Sequence, residues 1–490
     1  MENKIKKILL IAPPAITFKS GRDVNPLPPM GLGYLAAVFE KHGFEVSIFD
    51  ILIEGWDHEE PVPGDDELVK VGLSDEDIKQ HIQEVKPDLI GVNCQFSRQH
   101  RVYHDLFALI KSVLPEVLVV AGGAHVTVCS EEVLEDENCD YIIQGEAEES
   151  FLHFVRCLND GESCEAVDGI GFKTPEGPVI KEKQSWIEDL DSIPLPAYHL
   201  MKINRYLGLE SSHGERHSEA FSPIMTSRGC PAKCTFCSAY RVWGKRYRMR
   251  SVDNVIEEMR LLKDEYGIEE LMFEDDNVTA NLVRAKELFR RMIEEKFDFI
   301  WDTPNGVGIW TLDEEALDLM KASGCVKLNF PIESGSQDVL KNIIRKPLDL
   351  EKARKLMDYC KKIDLDFSMF LVIGMPGETL RDIWTSIKFA ASCKCFNPHI
   401  SVATPYPGTQ LFDICKDDEL FAREFTLDDL FIRSYLIRTK DWSEKELHHV
   451  LIRAKLYLKL NEFLDDPKIL FRWVKQVIGN PVSLINYLKR

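Results

Sequence analysis

No apolar run in this sequence approaches the roughly 18 residues that a bilayer-spanning helix needs. Internal repeats and low-complexity tracts are also missing. Positive charge is short: 60 Lys and Arg face 81 Asp and Glu, a net of -21. Sequence-independent nucleic-acid binding relies on phosphate neutralisation by Lys and Arg, so a nucleic-acid partner is excluded. The 13 cysteines are odd in number and scattered, which excludes a disulfide framework. Most should be reduced thiols, and any cluster among them would be a metal site. The start, MENKIKKILLIAPP, is basic, but its apolar stretch is short and no cleavage site follows. It reads as a first β-strand instead of a signal peptide, so a cytoplasmic location is expected.

What is present is ample core material. The chain has 490 residues, 44% hydrophobic and 29% charged. At about 150 residues per domain it should hold about three domains. Ile8–Ala12, Val46–Asp50, Leu89–Asn93, Leu118–Ala121 and Tyr141–Gln144 are short apolar runs with helical stretches between them, such as Gly31–His42. That alternation predicts a doubly wound parallel sheet over 1–150, with ligands beyond the carboxyl ends of its strands. Residues 151–195 read as a linker holding a hairpin around Pro175-Glu176-Gly177. The alternation resumes in 196–410, with strands expected at Pro223–Thr226, Leu271–Phe273, Phe299–Trp301, Val326–Ile332, Phe367–Ile373 and Ile400–Ala403. Six units suggest a partial (β/α)6 barrel of TIM type, whose active site lies at the C-terminal strand ends. Residues 411–490 read as helical. Between Leu451 and Arg490, eight basic residues face three acidic ones.

The informative string is TSRGCPAKCTFCSAY, where Cys230, Cys234 and Cys237 follow a strand in C-x3-C-x2-C spacing. Thiolates are the standard ligands of iron–sulfur clusters. Three of them leave one iron of a cubane without a protein ligand, free to chelate a substrate. Zinc is the alternative, but a structural zinc site is usually closed by four ligands and no fourth Cys or His is paired nearby.

This string resembles the signature of the radical S-adenosylmethionine superfamily, with Phe236 before the last cysteine. The resemblance covers about residues 190–415 and implies a 4Fe–4S cluster whose open iron binds S-adenosylmethionine. It also implies an adenosyl radical and an electron donor of flavodoxin or ferredoxin type. In FEDDNVT, Asp275 and Asp276 match acidic positions near the cofactor amino group, with a helix N-cap as the plainer reading. Glu333 and Ser334 in PIESGSQ match ribose contacts. Lys346 in RKPLD could pair with the cofactor carboxylate, although a solvated surface lysine is the ordinary reading. Gly374 and Gly377 in IGMPGET would allow close approach to adenine. Gly308 and Trp310 stand where the family often has polar residues, so no polar role carries over there.

The N-terminal segment resembles the cobalamin-binding domains fused to such barrels, with a structural or relic sheet as the alternative. Gly122 and Gly123 match the glycine pair near the corrin, Ser97 a serine position, and Gly145, Glu146 and Glu148 a strand-end loop. The D-x-H-x-x-G loop is absent, so cobalamin should have no histidine lower ligand.

Together these resemblances imply methyl transfer to an unreactive carbon of a small-molecule or lipid substrate, as in class B radical methyltransferases. Radical cyclisation or rearrangement is the alternative, and an iron–sulfur or cobalamin sensor the non-enzymatic one. LFRWVKQVIG, mixing Arg472 and Lys475 with aromatics, hints at peripheral membrane contact, against simple packing on the barrel. Cys393 and Cys395 read as structural, Cys94, Cys129 and Cys325 as small core residues, and His42, His81, His125 and His199 as isolated.

Overall fold

The computed structural model describes residues 4–24, 26–209, 216–430, 434–470 and 473. Ile8 to Ile11 are fully buried, as expected of a strand covered on both faces. That strand, β1 (Lys7–Ala12), pairs in parallel with β2 (Glu45–Asp50) on one side and β3 (Leu89–Asn93) on the other. Then come β4 (Leu118–Gly122) and β5 (Tyr141–Ile143), also parallel. The order β2-β1-β3-β4-β5 places a topological switch point between β1 and β3, where doubly wound sheets bind ligands.

The hairpin expected around Pro175 is present as β6 (Ile170–Thr174) and β7 (Gly177–Ile180). It is not free-standing: β6 pairs antiparallel with β5 and extends the sheet to seven strands.

The second sheet has six parallel strands in sequence order. They are β8 (Phe221–Ile224), β9 (Glu270–Phe273), β10 (Ile300–Asp302), β11 (Cys325–Glu333), β12 (Asp366–Ile373) and β13 (His399–Val402). β8 and β13 do not pair with each other, so the barrel stays open. The helices between carry local start and stop signals. Ser251 caps Val252–Tyr266 by accepting from the Asn254 N–H, and Gly267 ends it in the left-handed region. Leu380–Ser392 starts with a capping box from Thr379 and Asp382. One continuous apolar cluster includes Ile8 and Leu10 of β1 and Leu271 and Ile332 of the barrel, so the two sheets share a core.

Two regions differ from expectation. Ala15–Phe18, Glu59–Val62 and Asp65–Val71 form a small antiparallel sheet. Ala15–Phe18 is only four residues long and the other two strands mix acids with their apolar residues, so none left an apolar run to read. Among the described residues after 411, only part is helical. Gln410–Asp417 and the long Glu444–Asp465 are helices, but an irregular stretch with a Phe421–Ile437 bridge lies between. There Leu430, Leu436, Ile437 and Trp442 bury apolar surface without helical spacing. Of LFRWVKQVIG only Leu470 and Trp473 are described, so the membrane hint lies almost wholly outside the described residues. Among those described, no helix is long and apolar enough to cross a membrane.

Candidate functional site

The cysteine loop leaves the barrel just beyond β8 and is fastened at several points. Thr235 donates its N–H to Ile344 O (3.0 Å) and accepts from Leu411 N–H (2.8 Å). Its hydroxyl donates to Ile343 O (3.1 Å). The thiols of Cys230, Cys234 and Cys237 feel one another's charge and that of Asp276 or Lys346. Burial pushes the Cys234 thiol up to about 11 and the Cys237 thiol up to about 12. Metal binding to these thiols would release their protons. Phe236 packs half-buried against the barrel core.

At the end of β9, two neighbouring acids part company. Asp275 accepts from Thr226 N (3.0 Å), Thr226 Oγ1 (2.8 Å) and Ser227 Oγ, so it ties the first strand end to the second. Asp276 keeps a buried Oδ2 without a partner, and burial beside Asp275 raises its carboxyl to about 6. Neither is a helix cap; Asn281 caps the following helix.

β11 ends on Glu333, a non-glycine residue at φ +65°. Its carboxylate accepts from Lys346 Nζ at 2.8 Å, and both side chains are buried. Lys346 also lies 5.1 Å over the Trp310 ring. The solvated reading of Lys346 is thus corrected, because Glu333 and Trp310 supply a charge partner and an aromatic face. Ser334 is fully buried and shares a 3.0 Å hydrogen bond with Ser386.

Gly374 adopts φ +82°, and a Cβ there would meet Leu447 of the long C-terminal helix at 2.9 Å. Its freedom serves packing against that helix. Gly377 is also at positive φ. Between and beyond them, Glu378 accepts from the N–H groups of Gly374 (2.7 Å) and Met375 (3.2 Å). Burial raises the Glu378 carboxyl to about 8.

On the N-terminal sheet, Gly122 ends β4 and Gly123 follows it. Gly123 has φ +110°, and a Cβ there would lie 2.5 Å from Cys94 O, so only glycine fits. Ser97 Oγ lies 3.2 Å from His125 Nδ1. Glu146 and Glu148 are engaged in a different way. Glu146 takes Arg228 (2.9 Å) and, through both oxygens, Arg248 (2.7 Å), while Glu148 takes Arg228 at 2.6 Å. All four side chains are buried. This ionic cluster joins the loop after β5 to the residue two before Cys230. Sequence reasoning noticed Glu146 but missed its partners; Arg228 stands inside the cysteine string itself.

One cavity of about 2450 Å³ receives both sheets' strand ends. Its wall includes Asn93, Ser97, Gly122, Gly123, Gly145 and Glu146 from the first sheet. From the barrel it includes Ser227, Arg228, Asp276, Asn305 and Lys327. Glu333, Lys346, Gly374 and the three cysteines lie beside this wall set without belonging to it. Three free thiols in one fastened loop suit a cluster with an open iron. The partnerless Asp276 oxygen suits an ammonium donor. The bare Gly122–Gly123 rim suits a large flat ligand, and no histidine of the N-terminal sheet lines the cavity among the described residues.

The sequence profile of the radical SAM superfamily matches residues 224–390, and that of the B12 binding domain matches residues 22–155. A cytidylyl-2-hydroxyethylphosphonate methyltransferase of Streptomyces wedmorensis is 36% identical, over 84% of this chain and 82% of that relative. The chain belongs to the cobalamin-binding radical SAM enzymes. Its cofactors are a 4Fe–4S cluster, S-adenosylmethionine and cobalamin.

Other members of this radical SAM group spread in chemistry. An uncharacterized methyltransferase of Pyrococcus horikoshii is 31% identical, over 96% of this chain and 95% of that relative. An anaerobic magnesium-protoporphyrin IX monomethyl ester cyclase of Rubrivivax gelatinosus is 23% identical, over 79% and 66%. In fold, the chain resembles the radical S-adenosylmethionine methyltransferase TsrM of Kitasatospora setae. The TM-score is 0.70 at 16% identity, over 92% of this chain and 89% of that one.

Proposed function

We propose that this radical SAM enzyme moves a methyl group onto an unreactive carbon of a small anionic organic molecule. The observation carrying the proposal is the shared cavity, whose wall draws on the strand ends of both sheets. Methyl donor and radical source would then face one substrate. When bound, the cluster and S-adenosylmethionine supply a carbon radical and cobalamin carries the methyl group.

The chain's own groups bind and orient. Cys230, Cys234 and Cys237 would hold the cluster. Asp276 would accept from the cofactor ammonium, the Glu333–Lys346 pair would set the ribose and carboxylate, and Ser334 would brace the Glu333 strand end. The loops at Ser97, Gly122, Gly123 and Gly145 would seat the corrin without a histidine beneath cobalt. The Streptomyces relative is named for a cytidylyl-phosphonate, which favours an anionic substrate over a neutral lipid. A flavodoxin- or ferredoxin-type donor supplies the electron, and the reduced thiols fit the cytoplasm.

The test is turnover with methyl-deuterated S-adenosylmethionine, cobalamin and a panel of phosphorylated and phosphonylated metabolites. Deuterated methyl in the product, dependent on cobalamin, is expected. A cyclised or coupled product without label would instead support the cyclase-like reading that the Rubrivivax relative brings.

A further inference from the structure

His125 is not isolated. Three imidazoles converge on Glu132, in the helix Ser130–Glu135. His100 and His104 belong to the first turns of helix His100–Val113, and their i, i+4 spacing puts them on one face. His100 Nδ1 lies 3.1 Å and His104 Nε2 2.9 Å from Glu132 Oε1. His125 Nε2 lies 3.2 Å from Glu132 Oε2. The ligand atoms of His100, His104 and Glu132 all fall within 4.8 Å of one another.

Two of the rings turn their second nitrogen outward to a hydrogen-bond partner. His104 Nδ1 meets Asp136 at 2.7 Å and His125 Nδ1 meets Ser97 Oγ at 3.2 Å, while His100 Nε2 lies 3.4 Å from Asp428. One nitrogen inward and the other steered by a carboxylate or hydroxyl is the habit of metal-bound histidine. Hydrogen bonding alone fits less well. Buried His100 Nε2 faces Asp428 without being aligned to bond it. Buried His125 Nε2 and Glu132 Oε2 are, despite their closeness, not aligned to bond each other. A divalent cation between the rings would engage the His125 nitrogen and the Glu132 oxygen that hydrogen bonding leaves unsatisfied.

We propose that His100, His104 and Glu132 bind a divalent cation of the zinc class, separate from the iron–sulfur and cobalamin machinery. Two imidazoles and a carboxylate are a known zinc donor set, with water or His125 left for the fourth position. Side chains of His100, His104 and Glu132 that are 18%, 28% and 33% exposed leave a path for entry. The site would pin four elements. They are the helix of His100, the helix of Glu132, the segment carrying His125 behind the Gly122–Gly123 rim, and the turn Leu427–Asp429 beside His100.

The test is elemental analysis of the cluster-loaded, cobalamin-loaded full chain after equilibration with zinc and gel filtration. One equivalent of zinc beyond background is expected, and it should be lost in His104→Ala and in Glu132→Gln while iron and cobalt content persist. Cobalt(II) added to cluster-loaded wild-type protein without cobalamin gives a second reading that needs no variant. Ligand-field bands without thiolate charge transfer are expected. No zinc above background in the wild type, undiminished zinc in both variants, or cobalt(II) bands of thiolate character would overturn the proposal.

Discussion

Glu333 sits in a left-handed backbone conformation that a side chain adopts only when its surroundings hold it there. The buried Lys346 ammonium is the holding group. Removing one partner of a buried ion pair leaves an uncompensated charge, so Lys346→Met should destabilise the fold by about 3–5 kcal/mol. The Glu333→Gln, Lys346→Met double variant should recover most of that loss, as denaturant unfolding of the four proteins of the cycle would reveal. Glu378 makes a separate case. Its carboxyl is raised to about 8 from the ordinary 4.5, so between these values the folded chain keeps a proton that the unfolded chain has lost. Its contribution to stability is intact below pH 4.5 and falls as pH rises toward 8. Glu378→Gln should flatten the fall in melting temperature between pH 5 and pH 8 and raise the melting temperature at pH 8. An unchanged pH slope in the variant would contradict this assignment.

At the scale of elements, the cysteine loop was legible because its spacing is local. The six barrel strands were legible because each is a short apolar run between helices. What stayed hidden depends on distant pairs. Nothing near Glu146 in the sequence announces Arg228 and Arg248, 82 and 102 residues away. Nor does the alternation of runs reveal that the hairpin β6–β7 continues the first sheet. The burial of Lys346 stayed hidden because local sequence carries none, and the partners of Asp275 because Thr226 and Ser227 lie on another strand end. The His100 and His104 pair could have been seen from its i, i+4 spacing, but Glu132 and His125 come from other helices. The Glu146 cluster makes its own prediction. Glu146→Gln would leave two buried guanidiniums short of charge and loosen the backbone just before Cys230. Iron content after anaerobic reconstitution should fall severalfold, while Glu149→Gln, outside that cluster, should reconstitute like the wild type.

Across the whole molecule, two strand-end faces that each bind ligands in their own fold class meet over one cavity. A shared apolar core and a buried ionic cluster fix that meeting. On the proposed function this arrangement would let one protein join radical formation to group transfer, and all of it requires a cluster on the loop after β8. The direct test is 5′-deoxyadenosine formation from S-adenosylmethionine by anaerobically reconstituted protein under a strong reductant, with absorption spectra taken in parallel. The wild type should show a cubane spectrum and form 5′-deoxyadenosine, and Cys230→Ala, Cys234→Ala and Cys237→Ala should each lose both. A variant lacking any one of these thiols that still cleaved the sulfonium would contradict the account.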